Sequence, residues 1–263
     1  RGRFSEAGGQ GGGFIRFAGS ELLAPLAARL GPTVRFGVGM APVRGADGQF
    51  GLGWIVRSDN LFVEARGALD RNGRSIANGI QLRLATPSVS RLTGEDLARA
   101  GTLEGTLHLQ DHAWHFDGNA AVEQASLAGL SFRRLAGPIE VRAHDGQYDF
   151  VLDVTGQAGS GDGVLSSLIG SRPRALIRGT RMADSRLLIR RFDLDGSALD
   201  VTAEGVRGVN GSLAIEGRAT VTDVSGLRRQ ARGSVGLDFR VSQSRRSPWR
   251  LDFNARGRQF RTG

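Results

Sequence analysis

Residues 199–221, with the sequence LDVTAEGVRGVNGSLAIEGRATV, decide the fold of this chain. Leu199, Val201 and Ala203 alternate with acidic or hydroxyl side chains, and a second alternating run follows from Leu213 to Val221. A period of two places the apolar side chains of a strand on one face and the polar ones on the other. The segment therefore predicts two short strands that each have one apolar and one solvated face.

The same alternation recurs along the chain, and short turns separate the runs. It is strong at 235–241 and 249–255 and weaker at 80–84, 103–109, 139–143 and 148–154. The turns Arg71-Asn72-Gly73 and Asp145-Gly146 are typical of hairpins, which join antiparallel strands, whereas parallel strands need crossover helices. The sequence therefore predicts an all-β fold of antiparallel meanders.

Only short helices are expected between these strands. Candidate helices lie at Ser20–Leu30, Gly94–Ala100 and Val164–Gly170, and we expect Ser20 and Thr93 to cap the first two. Glycine-rich stretches precede two of the helices, at 8–13 and 156–163, and are expected to be flexible junctions. No helix is expected to exceed about three turns, since the apolar runs are short.

Two stretches roughly 140 residues apart are similar to one another. Each has a leucine-rich opener, a proline two to four residues after it, a group of strands and a glycine-led strand. The landmarks of the two copies are Pro32 and Pro173, the strand ends near Leu84 and Val221, and the tryptophan strands at Trp114 and Trp249. Such a repeat predicts an elongated body in which each unit packs only on its neighbours. We expect a first repeat unit with connecting strands at 1–163 and a second at 164–263, in one continuous sheet and as a fragment of a longer chain.

Composition narrows the class of protein. The 263 residues contain 40 glycines, about twice the usual share, which is typical of tight turns and close backbone approach. Cysteine is absent, which excludes disulfides and thiolate metal sites. The apolar runs are far shorter than the ~18–20 residues of a membrane helix.

The net charge of +9 raises the question of nucleic acid. All 35 basic residues are arginines, and many stand singly beside an acidic residue on the polar side of a strand, as in Asp238-Phe239-Arg240. One tyrosine and three tryptophans offer few rings for stacking on bases. No nucleic-acid partner is predicted.

The repeat resembles the TamB branch of the AsmA-like proteins of Gram-negative bacteria. The resemblance is best over 164–241 and extends with insertions over 22–109. It is carried by the leucine-rich opener, the Arg172-Pro173 pair, the strand with an acidic glycine turn at 187–196, and the glycine-terminated strands at 199–205 and 211–217.

The resemblance implies an elongated, curled, U-shaped antiparallel sheet with an apolar groove. It also implies a section of a periplasmic protein anchored in the inner membrane, which carries phospholipid between the two membranes. A scaffold for outer-membrane protein assembly, with an outer-membrane barrel partner, is the alternative. A structural β-sandwich repeat without ligand is the second alternative, because a second sheet could equally cover the apolar face.

The apolar rows are the candidate binding residues, since methylene burial alone can hold acyl chains. The candidates for a lipid groove are Leu107, Leu109, Leu199, Val201, Leu213, Ile215, Val221, Val235, Leu237, Phe239, Val241, Leu251 and Phe253.

No catalytic, cofactor or metal site is predicted. His108, His112 and His115 are expected to be solvent-side strand residues, because no cysteine or close carboxylate pair completes a ligand set. The glycine-rich stretches lack both the phosphate-loop lysine and the dinucleotide spacing. Aspartates such as Asp153 and Asp193 alternate along strands and are expected to form a solvated face. We expect the protein not to be an enzyme.

Overall fold

The computed structural model describes residues 2–5, 8–17, 23–94, 96–127, 129–226, 231–244 and 249–262. It is 66% strand and 9% helix, and its seventeen strands form an antiparallel sheet that is not closed on itself. The predicted all-β class with few short helices is therefore confirmed. No helix in the described ranges has the length and apolar character needed to cross a bilayer.

The chain divides into two compact units, Arg1–Ser126 and Leu127–Gly263. The elements of the first unit are β1 Gly2–Ser5, β2 Gly8–Arg16, α1 Ala24–Leu30, β3 Thr33–Pro42, β4 Phe50–Arg57, β5 Phe62–Leu69, β6 Ser75–Thr86, α2 Val89–Thr93, β7 Gly101–Gln110 and β8 Ala113–Leu127. Each strand from β1 to β8 pairs antiparallel with the next one along the chain. This unit is the predicted meander.

The second unit is a similar meander with one irregular start. Its elements are β9 Leu130–His144, β10 Gln147–Gln157, β11 Ser160–Gly161, α3 Val164–Ile169, β12 Arg174–Arg181, β13 Leu187–Asp195, β14 Leu199–Arg207, β15 Leu213–Val221, a 3-10 turn Val224–Gly226, β16 Ala231–Gln243 and β17 Arg250–Thr262. β10 pairs with β9 on one side and with β12 on the other. The short β11, which lies between β10 and β12 in the chain, pairs with β9. From β12 to β17 each strand pairs with its successor.

The hairpin turns follow the glycine chemistry of the sequence. At the β9–β10 turn, Asp145 and Gly146 both have positive φ, 49° and 74°. This pair of left-handed residues is the type I′ geometry, whose twist matches that of the flanking strands. Gly73 closes the β5–β6 turn with φ 77°, and its N–H donates to the Asp70 carbonyl at 3.1 Å.

The helix predictions are correct in part. The helix predicted at Val164–Gly170 is confirmed as α3, and α1 covers the end of the first, whose Ser20 lies outside the described residues. The prediction of a helix at Gly94–Ala100 capped by Thr93 is wrong. The helix α2 ends at Thr93, because Gly94 takes the left-handed conformation (φ 82°) of a C-cap, and Ser88 is the residue that accepts the N-cap hydrogen bond.

The stretch at 8–13, predicted to be a flexible junction, is instead part of β2. Its glycines pair along β3, where Gly11 faces Val38 and Gly12 faces Gly37. Glycine therefore serves here as a strand residue without a side chain.

The internal repeat is visible in the hydrogen bonds of the two units. In the first, Phe17 N–H donates to the Pro32 carbonyl at 3.0 Å, and in the second Gly156 N–H donates to the Pro173 carbonyl at 2.8 Å. After each proline comes a four-stranded meander, β3–β6 or β12–β15, and then a short helical segment that contacts the opening helix: α2 contacts α1, and the 3-10 turn contacts α3. The two predicted copies thus share one local architecture.

Candidate functional site

The strand register of the second unit gathers its apolar side chains on one face. Residues that stand directly opposite in an antiparallel pair lie on the same face. Leu199 stands opposite Val221, which stands opposite Val235, and Leu237 stands opposite Ala219. Because Leu213, Ala219 and Val221 are all odd positions of β15, the three leucines 199, 213 and 237 share one face, as predicted. We call it the apolar face of the second unit.

All second-unit candidates lie on this face. They are Leu199, Val201, Leu213, Ile215, Val221, Val235, Leu237, Phe239, Val241, Leu251 and Phe253. The register extends the face over residues that the sequence analysis did not name, namely Phe150, Leu152, Val154, Ile177, Phe192 and Leu194. Whether lipid touches any of them stays a prediction.

The first unit has a corresponding apolar face. Leu107 stands opposite both Ile80 and Phe116, and Leu109 stands opposite Trp114. The face continues over β3 to β5, where the sequence analysis named no residue, through Val38, Trp54 and Ala65. Glycines take the place of polar residues in those strands, as in Gly51-Leu52-Gly53-Trp54, and this alternation was the missed signal.

The apolar face is the side on which side chains crowd together. A Cβ added at Gly217 or Gly205, on the apolar face of the second unit, would lie closer than 3.0 Å to the neighbouring strand. A Cβ added at Gly236, on the opposite face, would have 4.0 Å to its nearest neighbour. Side chains converge on the inner side of a bent sheet and spread apart on the outer side. We infer that the sheet of the second unit is locally concave on its apolar face.

Exposure varies along both apolar faces. In the second unit Phe239 and most of its neighbours are half-buried, and the last strand is open, with Leu251 59% and Phe253 65% exposed. In the first unit Ile80 is 3% and Phe116 is 4% exposed. Ile80 and Phe116 are therefore core residues, while Leu107, Leu109 and Trp114 on the same face are half-buried. The second face lacks the burial expected of a core sealed by another sheet.

The face opposite the apolar one in the second unit is a ladder of ion pairs. Arg218 Nε lies 2.8 Å from Asp238 Oδ1, and Arg240 contacts Glu216 at 2.7 Å. The guanidinium of Arg174 donates to the Asp153 carboxylate, with Nε 2.8 Å from Oδ1, and this hydrogen bond holds the pKa of Asp153 below its usual value. We call this the charged face.

Three shallow troughs lie on the side opposite the apolar faces. One in the second unit, of about 880 Å³, runs across the strands between the row Thr202–Arg218–Asp238–Asn254 and the row Glu204–Glu216–Arg240–Asp252. Two in the first unit, of about 930 and 700 Å³, run over the glycines of β2 to β4. They are open furrows between rows of side chains and not enclosed cavities.

The histidines lie where the sequence predicts them. His108 and His115 stand opposite each other on β7 and β8, with ring centroids 6.3 Å apart, on the polar side of the strands. His115 Nε2 lies 3.0 Å from Asp117 Oδ2. His112 is in the exposed turn between the two strands.

A hydroxyl, a carboxylate and an imidazole also meet at one end of the second unit. Thr180 Oγ1 donates to Asp149 Oδ1 at 2.5 Å, and His144 Nε2 lies 3.3 Å from Asp149 Oδ2. The Thr180 hydrogen bond is the main cause that lowers the pKa of Asp149. A nucleophile needs the imidazole as its neighbour, whereas here the carboxylate separates the two, and Thr180 is only 1% exposed. A chain of contacts with the carboxylate in the middle suits a structural network.

No family model, no curated protein and no solved structure matches this chain.

Proposed function

We propose that this chain is a TamB-like section of a periplasmic lipid conduit, whose ligand is the acyl part of phospholipid. The observation that carries the proposal is the apolar face of the second unit, which is continuous from β10 to β17, locally concave and only half-buried. Contacts with aliphatic side chains along the whole face can hold flexible acyl chains without a specific polar site, because each buried methylene contributes about 0.8 kcal/mol. The family resemblance described above supports the same function.

The placement of apolar and charged side chains on opposite faces favours a conduit and not a plain sandwich repeat. A sandwich core would bury its facing rows, yet Leu237 and Ile215 remain partly exposed in the described structure. The ion-pair ladder keeps the opposite face hydrated, so that only one face offers an apolar surface. A groove without a deep pocket also lets a lipid slide along it.

Photolabelling with residue-level mapping tests this proposal. The probe is a phospholipid with a diazirine in its acyl chain, presented in mixed micelles, and labelled residues are mapped by mass spectrometry. We expect label on Ile215 and Leu237 and none above background on Glu216 and Asp238. Adjacent residues of one strand point to opposite faces, so each strand carries its own control. Equal labelling of both faces, or none on either, would contradict the conduit and favour the sandwich repeat.

The second candidate function is a scaffold for outer-membrane protein assembly. The observation that favours it is the exposure of β17 and of the residue before it: Trp249, Leu251 and Phe253 are all about 60% exposed or more. A client strand could add to such a strand through main-chain hydrogen bonds. Proline substitutions along β17 remove backbone donors one at a time. If the chain is a scaffold, they reduce binding of an extended client peptide while lipid labelling of Ile215 is unchanged.

A further inference from the structure

The two ends of the apolar face in the second unit differ in chemistry. At one end the short helical segments close over it: Leu168 and Ile169 of α3, Leu199 at the start of β14 and Val224 of the 3-10 turn are all at most 7% exposed. The turn before β14 is tied to α3, since Ala198 N–H donates to the Leu168 carbonyl at 2.8 Å. That end of the face is sealed by apolar side chains.

Arginines stand at the opposite end. Arg181 is the last residue of β12 and Arg207 the last of β14, and both stand opposite Leu187, the first residue of β13. Because opposed residues share a face, both arginines lie on the apolar face, at its end row. Over the side chains that the structure describes in β12 to β16, these are the two charged groups of the apolar face, and Gln243 extends the same row, opposite Leu213.

The two guanidiniums are exposed, and neither forms an ion pair with a carboxylate of the described residues. Arginines of the charged face, by contrast, pair with acidic neighbours, as Arg218 does with Asp238. The Arg181 guanidinium lies 5.9 Å from the ring centroid of Tyr148, which stands opposite it. One strand separates the arginines, so their backbones lie about 10 Å apart. Both can therefore reach one anionic group from either side.

We propose that Arg181 and Arg207 bind the anionic headgroup of an amphiphile whose acyl chains lie on the apolar rows toward Leu199. This inference rests on the proposed function and adds a ligand class and an orientation to it. The guanidinium fork suits a phosphate or carboxylate, through charge-assisted hydrogen bonds. The apolar rows between the ends run along the nine residues of β15, about 27 Å, which suits an extended chain. Headgroup chemistry at one end and sealed aliphatic contacts at the other fix the direction in which the ligand lies.

Equilibrium binding of short-chain phospholipids tests the proposal. The probes are dihexanoyl phosphatidylglycerol, which is anionic, dihexanoyl phosphatidylcholine, which is zwitterionic, and inorganic phosphate. We expect the unmodified chain to prefer the anionic lipid, and the double variant Arg181→Gln, Arg207→Gln to lose roughly tenfold in affinity for it. Affinity for the zwitterionic lipid is expected to change little.

A matched control separates a local site from net charge. The double variant Arg218→Gln, Arg240→Gln removes the same two charges from the charged face and is expected to keep the preference for the anionic lipid. Equal loss in both double variants, or an unchanged preference when Arg181 and Arg207 are replaced, would overturn the headgroup site while lipid binding itself survives. Binding of neither lipid would overturn the proposed function together with this inference. Inorganic phosphate that binds as tightly as the anionic lipid would show an anion site without a tail requirement and would also overturn it.

Discussion

Asn60 and Ser197 hold the same place in the two repeats, in the turn that ties the end of a helix to the sheet. Asn60 Nδ2 donates to the Arg29 carbonyl at 3.0 Å, and the backbone N–H of Asn60 donates to the Leu30 carbonyl at 3.3 Å. In the second repeat Ser197 N–H donates to the Ile169 carbonyl at 3.0 Å. Both turns satisfy carbonyls that a helix leaves unpaired at its C-terminus. The shared solution explains why the helix and the second hairpin recur together in the sequence.

Replacing Asn60 by alanine is expected to destabilise the chain by about 1–3 kcal/mol, because the Arg29 carbonyl loses its side-chain donor. Asn60 is only 5% exposed, so water does not easily replace the amide. Ser197→Ala is the matched control, and we expect it to cost less than about 1 kcal/mol, since the backbone N–H groups of Ser197 and Ala198 still donate. Urea unfolding of both variants measures the difference. A larger loss for Ser197→Ala would contradict this account.

A pair of glycine substitutions tests the concavity of the apolar face. Gly217→Ala places a methyl group against Ala203 and the carbonyl of Thr202, and we expect a loss of about 1–3 kcal/mol. Gly236→Ala, two strand positions from Asp238 on the charged face, meets nothing nearer than 4.0 Å. It is expected to be neutral or to stabilise by up to about 1 kcal/mol through the unfolded chain. Thermal unfolding compares them, and equal costs would mean that the sheet is not bent as inferred.

Phe116 is expected to be a core residue and Phe150 a groove residue, although both lie against glycines. The Phe116 Cζ occupies the space in which a Cβ of Gly105 would lie, at 2.7 Å, and Phe150 Cζ does so at Gly179, at 2.6 Å. Phe116 is 4% exposed, whereas Phe150 is half-buried. Phe116→Ala is therefore expected to cost about 3–5 kcal/mol and Phe150→Ala clearly less. Similar losses on urea unfolding would show that both apolar faces are equally closed.

The Asp153–Arg174 pair gives the stability of the chain a defined pH dependence. The pKa of Asp153 is lower in the folded chain than in the unfolded one, because Arg174 donates to the carboxylate. The pair therefore contributes stability above the unfolded pKa of about 3.9 and loses it as the pH falls through the lower folded pKa. We expect Asp153→Asn to be less stable than the parent at pH 7 and the gap to narrow below about pH 4.

The reciprocal variant serves as the control for that pH profile. Arg174→Gln removes the donor, and the difference in stability between this variant and the parent is expected to narrow over the same acid range. The double variant should lose little more than either single one, because both changes remove one interaction. A gap that stays constant from pH 7 to pH 3 would show that the pair contributes nothing to the titration.

The sequence predicts the strands, the hairpins and the shared face of β14 to β17, because strict alternation in those strands is read directly as register. It does not predict the face of β13, where the register shifts between Ile189 and Phe192. A bulge at Arg190–Arg191 adds one residue to the strand, so the apolar residues lose their period of two. The helix predicted at Gly94–Ala100 is wrong because Gly94 is the C-cap of α2 and not a helix residue. The arginines at the end row could not be assigned to the apolar face before the strand ends were known.

Whether the apolar face is an open groove is decided by placing a carboxylate in it. Ile215→Asp puts the charge on the apolar face of β15, and Ala214→Asp puts the same charge on the exposed opposite face. In a sealed core an unpaired carboxylate costs several kcal/mol and unfolds the chain. In a half-buried groove the carboxylate keeps part of its hydration, so we expect Ile215→Asp to lose about 1–2 kcal/mol of stability and to melt about 2–8 °C below the parent. Acyl-chain photolabelling is expected to fall several-fold in Ile215→Asp and to stay at the parent level in Ala214→Asp. Global unfolding of Ile215→Asp, in a chain whose parent takes no lipid label, would instead favour a closed core.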